Sequence, residues 1–123
     1  MLSSNQVVEI RKAIEMTYSD RCTIQEFKNV IMDNVSTTTK EIILDEEPCR
    51  LSFKQISSAT NSNGASSITQ EIKLFISPDV VIEPGCVMEI TREGKKERYK
   101  ASGKPAVYPT HQEIILELEK RWA

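Results

Sequence analysis

The first part of the chain carries apolar residues at helical spacing, with charged side chains between them. This arrangement is typical of an amphipathic helix that packs one face against a core. Residues 3–5, Ser-Ser-Asn, are suitable N-cap residues for it. We therefore predict an N-terminal helical segment within residues 1–20. Its apolar positions are Val7, Ile10, Ile14 and Tyr18.

After this segment the hydrophobic period changes from about 3.6 to 2, which favours β-strands with one buried face. Two runs alternate most clearly, residues 49–54 and residues 70–76. The first places Cys49, Leu51 and Phe53 on one face, and the second places Ile72, Leu74 and Ile76 there. Shorter runs predict further strands at residues 21–25, 41–44, 80–82, 86–90 and 97–101.

Clusters of Gly, Pro, Asn, Asp and Ser predict turns between these strands. The predicted turns are residues 33–40, 45–48, 77–79, 83–85, 93–96 and 102–105. The C-terminal run fits two patterns. As a strand it buries Ile114, Leu116 and Leu118, and as a helix it groups Ile114, Ile115, Leu118 and Trp122; we favour the strand.

One helix followed by six to eight short strands predicts a mainly β fold, a small antiparallel β-barrel or sandwich with an N-terminal amphipathic helix. With 123 residues there is room for one domain and one core. We place the helical segment at residues 1–20 and the barrel at residues 21–123. Residues 55–69, polar and almost free of charge, are predicted to form a long loop, and such loops are usually functional or disordered.

The composition narrows the function classes further. The net charge is −2 and the pI is near 5.5, whereas nucleic-acid binding needs a basic footprint. The sequence contains no run of about 20 apolar residues and does not begin with the basic-then-apolar order of a secretory signal. We therefore expect a cytoplasmic protein without a membrane segment.

Candidate chemistry is sparse. Cys22, Cys49 and Cys86 are odd in number and lack a C-x-x-C pair, so we interpret them as reduced thiols in apolar positions. His111 is the single histidine and the first candidate for acid–base chemistry. With the cysteines it makes a Cys₃His zinc set by count, but not with the close ligand spacing of zinc sites. We expect no catalytic residue, metal or cofactor.

Several motifs together resemble one family. They are PCRLSF at residues 48–53, KLFISP at residues 73–78, IEPG at residues 82–85 and SGKPAVYPTHQEI at residues 102–114, with the polar segment 55–69 among them. In order and spacing they are similar to the small head-tail proteins of the defective Bacillus prophage PBSX and of the related skin element. They resemble more distantly the head-completion (stopper) proteins of siphophages.

The resemblance implies a structural head-tail connector, or head-closure protein, made in the bacterial host cytoplasm and located in the virion neck. It implies a six-fold ring of copies that closes the DNA channel, with a portal or adaptor ring on the head side and a tail terminator or tail tube on the tail side. DNA would be passing cargo only, and no membrane, cofactor or catalytic residue is implied.

By analogy with stopper proteins, we place the partner or channel interface in the polar loop, with the N-terminal helix as a second candidate. The interface residues are Ile56, Ser57, Ser58, Asn61, Asn63, Gly64, Ser66 and Ile68 in the loop, and Val7 and Ile14 on the helix. Three alternatives stay open. They are a tail-completion or adaptor protein, a small β-barrel binding module for nucleic acid or peptide, and a thiol hydrolase that uses a cysteine with His111.

Overall fold

The computed structural model describes residues 3–58 and 67–119 of the chain. Within them, helix α1 (Ser4–Glu15) precedes six strands. The strands are β1 (Asp20–Met32), β2 (Val35–Ser58), β3 (Ser67–Ile76), β4 (Val87–Arg92), β5 (Lys95–Val107) and β6 (Gln112–Leu118). The predicted mainly β class with an N-terminal helix is confirmed.

The six strands form a closed antiparallel barrel in the order β1-β2-β3-β6-β5-β4. Closure comes from the pairing of β1 with β4, from Arg21↔Thr91 to Gln25↔Val87. Of the two predicted architectures, the barrel is therefore the one formed. A closed barrel leaves no unpaired strand edge along its wall.

The barrel interior is filled by the residues that alternate with polar ones in the sequence. Its buried members include Cys22, Ile24, Cys49, Leu51, Ile72, Leu74, Ile76, Met88, Ile90, Tyr99, Ala101, Ile114 and Leu116. The predicted strand at the C-terminus is confirmed as β6. Two predicted core residues are wrong, because Phe53 and Leu118 lie near the barrel rim and are 43% and 49% exposed.

The predicted turn at residues 33–40 is wrong except at its first two positions. Asp33 and Asn34 have φ of 52° and 63°, as a two-residue type I′ hairpin turn requires. The Thr-rich residues that follow begin β2, a strand of 24 residues that continues through the predicted turn at 45–48. Glu46, at φ 55°, and the register shifts beside Ile24 let the strand bend there without ending.

Two other predictions are wrong. Residues 80–82 form no strand. The carbonyl oxygens of Ser77 and Val80 accept hydrogen bonds from Gln112 Nε2, at 2.7 and 2.6 Å, and not from a neighbouring strand. Ile82 is still buried, so its apolar character reflects packing and not strand pairing. Residues 102–105 belong to β5, where a register shift and Gly103 at φ 78° replace the predicted turn.

Helix α1 begins where the sequence predicts. Ser3 is its N-cap and forms a capping box with Gln6. The helix ends at Glu15, so Tyr18 lies beyond it, although Tyr18 is buried. No residue of α1 is buried. In the part of the chain that the structure describes, no helix has the length and apolar character needed to cross a membrane.

Candidate functional site

Two hairpins extend past the barrel wall as two-stranded ribbons, here named arm 1 and arm 2. In arm 1, residues 26–32 of β1 pair with residues 35–41 of β2, whereas the pairing of β1 with β4 stops at Gln25. At roughly 3.4 Å per residue, arm 1 is about 20 Å long. In arm 2, residues 54–58 of β2 pair with residues 67–71 of β3, and β3 meets β6 only from Ile72 onward.

The arms leave opposite ends of the barrel. Arm 1 contains the start of β2 and arm 2 contains its end, with the barrel-wall part of β2 between them. Within residues 3–58 and 67–119, the outer edges of both arms have no strand partner. Unpaired edges of this kind can pair with another chain.

Arm 1 carries large apolar side chains in solvent at its tip and at its base. Ile31, Met32 and Val35 flank the Asp33-Asn34 turn and are 76%, 64% and 58% exposed. Ile42 and Ile43 at the base are also exposed. Apolar residues grouped on a surface mark interaction sites. Arm 1 was not predicted from the sequence, although Asp-Asn between apolar residues is a hairpin signal.

The predicted interface loop at residues 55–69 is β-strand at both of its described ends. Ile56, Ser57 and Ser58 belong to β2 and pair with Thr69, Ile68 and Ser67 of β3, so the loop prediction is wrong at both ends. The structure therefore brings the predicted residues 56–58 and 68 together in arm 2. Asn61, Asn63, Gly64 and Ser66 lie outside the described residues.

The second predicted interface, α1, is attached to the barrel through polar contacts. Arg11 donates from Nη2 to Ser77 Oγ at 2.7 Å and to Asp79 Oδ2 at 2.6 Å, and from Nε to Glu15 at 2.8 Å. The hydrogen bond with Asp79, followed by that with Glu15, raises the pKa of Arg11 above its ordinary value. Val7 and Ile14 are half-buried, while Val8 and Met16 face solvent.

The cysteines are free thiols. Cys22 and Cys49 are fully buried, and Cys86 is half-buried against the core. The hydrogen bond with Cys49, and then burial, raises the pKa of Cys22, and burial raises the pKa of Cys86. Both thiols are therefore protonated at neutral pH, the form that is a poor nucleophile.

His111 lies on the outer wall of the barrel. Its Nε2 is 2.9 Å from Glu113 Oε2 and its Nδ1 is 3.0 Å from Thr110 Oγ1. Lys73 Nζ also reaches Glu113, at 3.1 Å. These partners include no cysteine. Among the described residues, no group of three or more His, Cys, Asp or Glu side chains is placed to hold a metal ion.

A groove of about 430 Å³ lies between the base of arm 1 and the segment that leads into β4. Its walls are mostly apolar, with Ile24, Ile43 and Val81 among them, and Glu26 and Glu83 supply its charge. Among the described residues, the lining contains no histidine, lysine or arginine. The groove therefore offers an apolar surface bordered by two carboxylates.

Comparison with known proteins gives a likeness in fold. No protein-family model matches the chain, and no curated protein matches it. Among solved structures, the chain is similar to the phage-like element PBSX protein xkdH from Bacillus subtilis, with a TM-score of 0.49 and 10% sequence identity. The match covers 81% of this chain and 93% of that one. The family suggested by the motifs stays a prediction.

Proposed function

We propose that this chain is a structural, non-enzymatic head-tail connector of a tailed phage, prophage or phage-tail-like particle. Copies of it would form a six-fold ring in the neck, which joins head to tail and closes the DNA channel. The observation that carries the proposal is the pair of arms leaving opposite ends of a closed barrel. A ring-forming connector must contact both neighbouring copies of itself and other rings of the particle, and two opposed arms supply two separate contact surfaces.

The charge of the chain fits this role. DNA must pass the neck without being held, and positively charged surfaces hold DNA by its phosphates. A chain with a net charge of −2 provides no general attraction for phosphate. The portal or adaptor ring would lie on the head side, and the tail terminator or tail tube on the tail side.

Deletion of the gene tests the proposal. Electron microscopy of an induced lysate that lacks the chain would be scored for heads, tails and joined particles. We expect DNA-filled or emptied heads beside finished, unattached tails. Unfinished tails would instead assign the chain to tail completion, and normal joined particles would overturn the connector role.

A further inference from the structure

A row of exposed and half-buried side chains, here named the aromatic strip, crosses the outer wall of the barrel. It consists of Arg50, Phe75, His111 and Tyr108. The Arg50 guanidinium lies 4.8 Å from the centroid of the Phe75 ring. The Phe75 and His111 centroids are 6.0 Å apart, and His111 stacks on Tyr108 at 5.0 Å with an interplanar angle of 22°. Phe75 faces outward because its neighbours Leu74 and Ile76 are buried.

The strip is held in place before any partner arrives. Arg50 and Phe75 are direct cross-strand neighbours on β2 and β3. The His111 ring is fixed by Thr110 and Glu113, and the Tyr108 amide donates to the His111 carbonyl oxygen at 2.8 Å. Side chains ordered in advance lose less entropy on binding. Arginine and tyrosine are also enriched among the residues that dominate binding energy.

The tip of arm 1 has the complementary chemistry. Ile31, Met32 and Val35 are apolar and exposed, and methionine and aliphatic side chains pack well on aromatic rings. Asp33 places one carboxylate at the turn, where it can meet the exposed Arg50 guanidinium. The tip remains exposed within a single chain, so the strip of the same chain does not cover it.

We propose that the tip of arm 1 of one copy docks on the aromatic strip of a second copy, with Asp33 against Arg50. Arm 1, about 20 Å long, gives the tip the reach to meet a neighbouring barrel. The two patches differ, so the contact is heterologous, and its repetition closes a ring or extends a filament. The place of such a ring in a particle neck rests on the proposed function, whereas the contact is a property of this chain.

Sedimentation equilibrium of the purified chain tests the contact. Measurements up to about 1 mM detect even weak association, and we expect species larger than a dimer to form as concentration rises. Ile31→Ser should weaken association about tenfold. Met16→Ser is the matched control, because Met16 is similarly exposed, at 88% against 76%, but lies in neither patch. A chain that stays monomeric throughout this range overturns the proposal.

A charge exchange tests the orientation. Asp33→Lys and Arg50→Glu should each weaken self-association, and an equal mixture of the two variants should restore it, because each arm then meets the opposite charge. Asp33→Asn suits the positive φ of the turn. Its mixture with Arg50→Glu keeps the native Asp33–Arg50 contact in one direction only, so association should recover only as far as pairs, whereas the Lys–Glu mixture should form larger species. Thermal melting confirms that the barrel of each variant is folded, and amide hydrogen exchange at residues 29–38 confirms that arm 1 is formed.

If the variants are folded but the mixture of Asp33→Lys and Arg50→Glu does not recover association, the contact between copies is overturned. The connector role would remain, because the gene deletion tests it separately. Joined particles in the deletion lysate, with self-association as expected, would overturn the connector role and leave the contact.

Discussion

At the scale of single residues, Gln112 is the clearest case of a buried polar group that organises its surroundings. It is 1% exposed, and its amide donates to two carbonyl oxygens of the segment between β3 and β4. Gln112→Ala leaves both carbonyls without this donor, and a buried unsatisfied polar group costs about 1–3 kcal/mol. We therefore expect urea unfolding to show a loss of about 2–3 kcal/mol, with no comparable loss for the exposed control Gln70→Ala.

Glu113 makes the stability of the barrel depend on pH. Hydrogen bonding to His111, supported by Lys73, lowers the pKa of Glu113 below its ordinary value of 4.5. A carboxylate with a lowered folded-state pKa stabilises the fold above its unfolded pKa, and this stabilisation is lost as pH falls through the folded-state pKa. Glu113→Gln should therefore reduce the fall in unfolding free energy below about pH 4.5. Equal pH profiles for Glu113→Gln and the control Glu71→Gln would contradict this.

Residue patterns predict which face is buried more reliably than how far the burial extends. The alternation at Cys49, Leu51, Ile72 and Leu74 places them inside, as observed. Phe53 has the same phase but lies at the rim, beside Arg92 at 5.4 Å. Alternation of apolar and polar residues specifies which face of a strand is buried. Where the barrel wall ends depends on pairing with strands distant in sequence, and a local pattern holds no information about that pairing.

At the scale of elements, the turn of arm 1 depends on residues that accept positive φ. Asn34 has φ 63°, a conformation that costs a β-branched residue roughly 1–2 kcal/mol. Asn34→Val should therefore open arm 1, and amide hydrogen exchange should become faster at residues 29–38 but not in the barrel part of β2. Asn34→Gly, which tolerates this φ, should retain protection. Equal protection in both variants would show that the turn does not hold the arm.

Helix α1 should detach more easily than any barrel strand. Its residues are not buried, and Arg11 links it to Ser77 and Asp79. Arg11→Met removes this link, so exchange at residues 4–15 should increase. The free energy of barrel unfolding should change by about 1 kcal/mol or less, as for other partly exposed ion pairs. Lys12→Met, a control on an exposed position of the same helix, should leave exchange unchanged.

Element boundaries were the least predictable part of the fold. The polar stretch at residues 33–40 suggested a turn, yet its threonines are β-branched and suit a solvated ribbon with both faces wet. Residues 80–82 suggested a strand, yet the Val80 carbonyl oxygen accepts a hydrogen bond from Gln112 of β6 and not from a strand. The hydrogen-bond partner at residues 80–82 lies far along the sequence, whereas residues 35–40 pair with the neighbouring residues 27–32. The candidate site was predicted in the loop at residues 55–69 from the length of the loop and by fold analogy, with the N-terminal helix as a second candidate. Arm 1 was missed because residues 33–40 were predicted to be a turn.

At the scale of the whole molecule, closure makes the barrel a single unit while the arms remain additions to it. None of the described core residues lies in arm 1 or arm 2. The pairing of β1 with β4 ties the first strand to the C-terminal half of the chain, so separation of any two wall strands opens the core. We infer that the barrel unfolds cooperatively and that its stability does not depend on the arms.

Shortening each arm tests this division of roles. In the first variant, Asn-Gly replaces residues 29–38 and so connects Lys28 to Thr39. These two residues are a cross-strand pair at the same position in the strand alternation as Met32↔Val35, the pair that flanks the natural turn. In the second variant, Asn-Gly replaces residues 57–68 and shortens arm 2. Both chains should melt cooperatively, with an unfolding free energy within about 1 kcal/mol of the full chain, since surface changes are usually small. In the deletion strain, each should fail to restore joined particles. Loss of cooperative melting would show that the arm belongs to the folding unit, and full restoration by both would remove the arms from the connector interface.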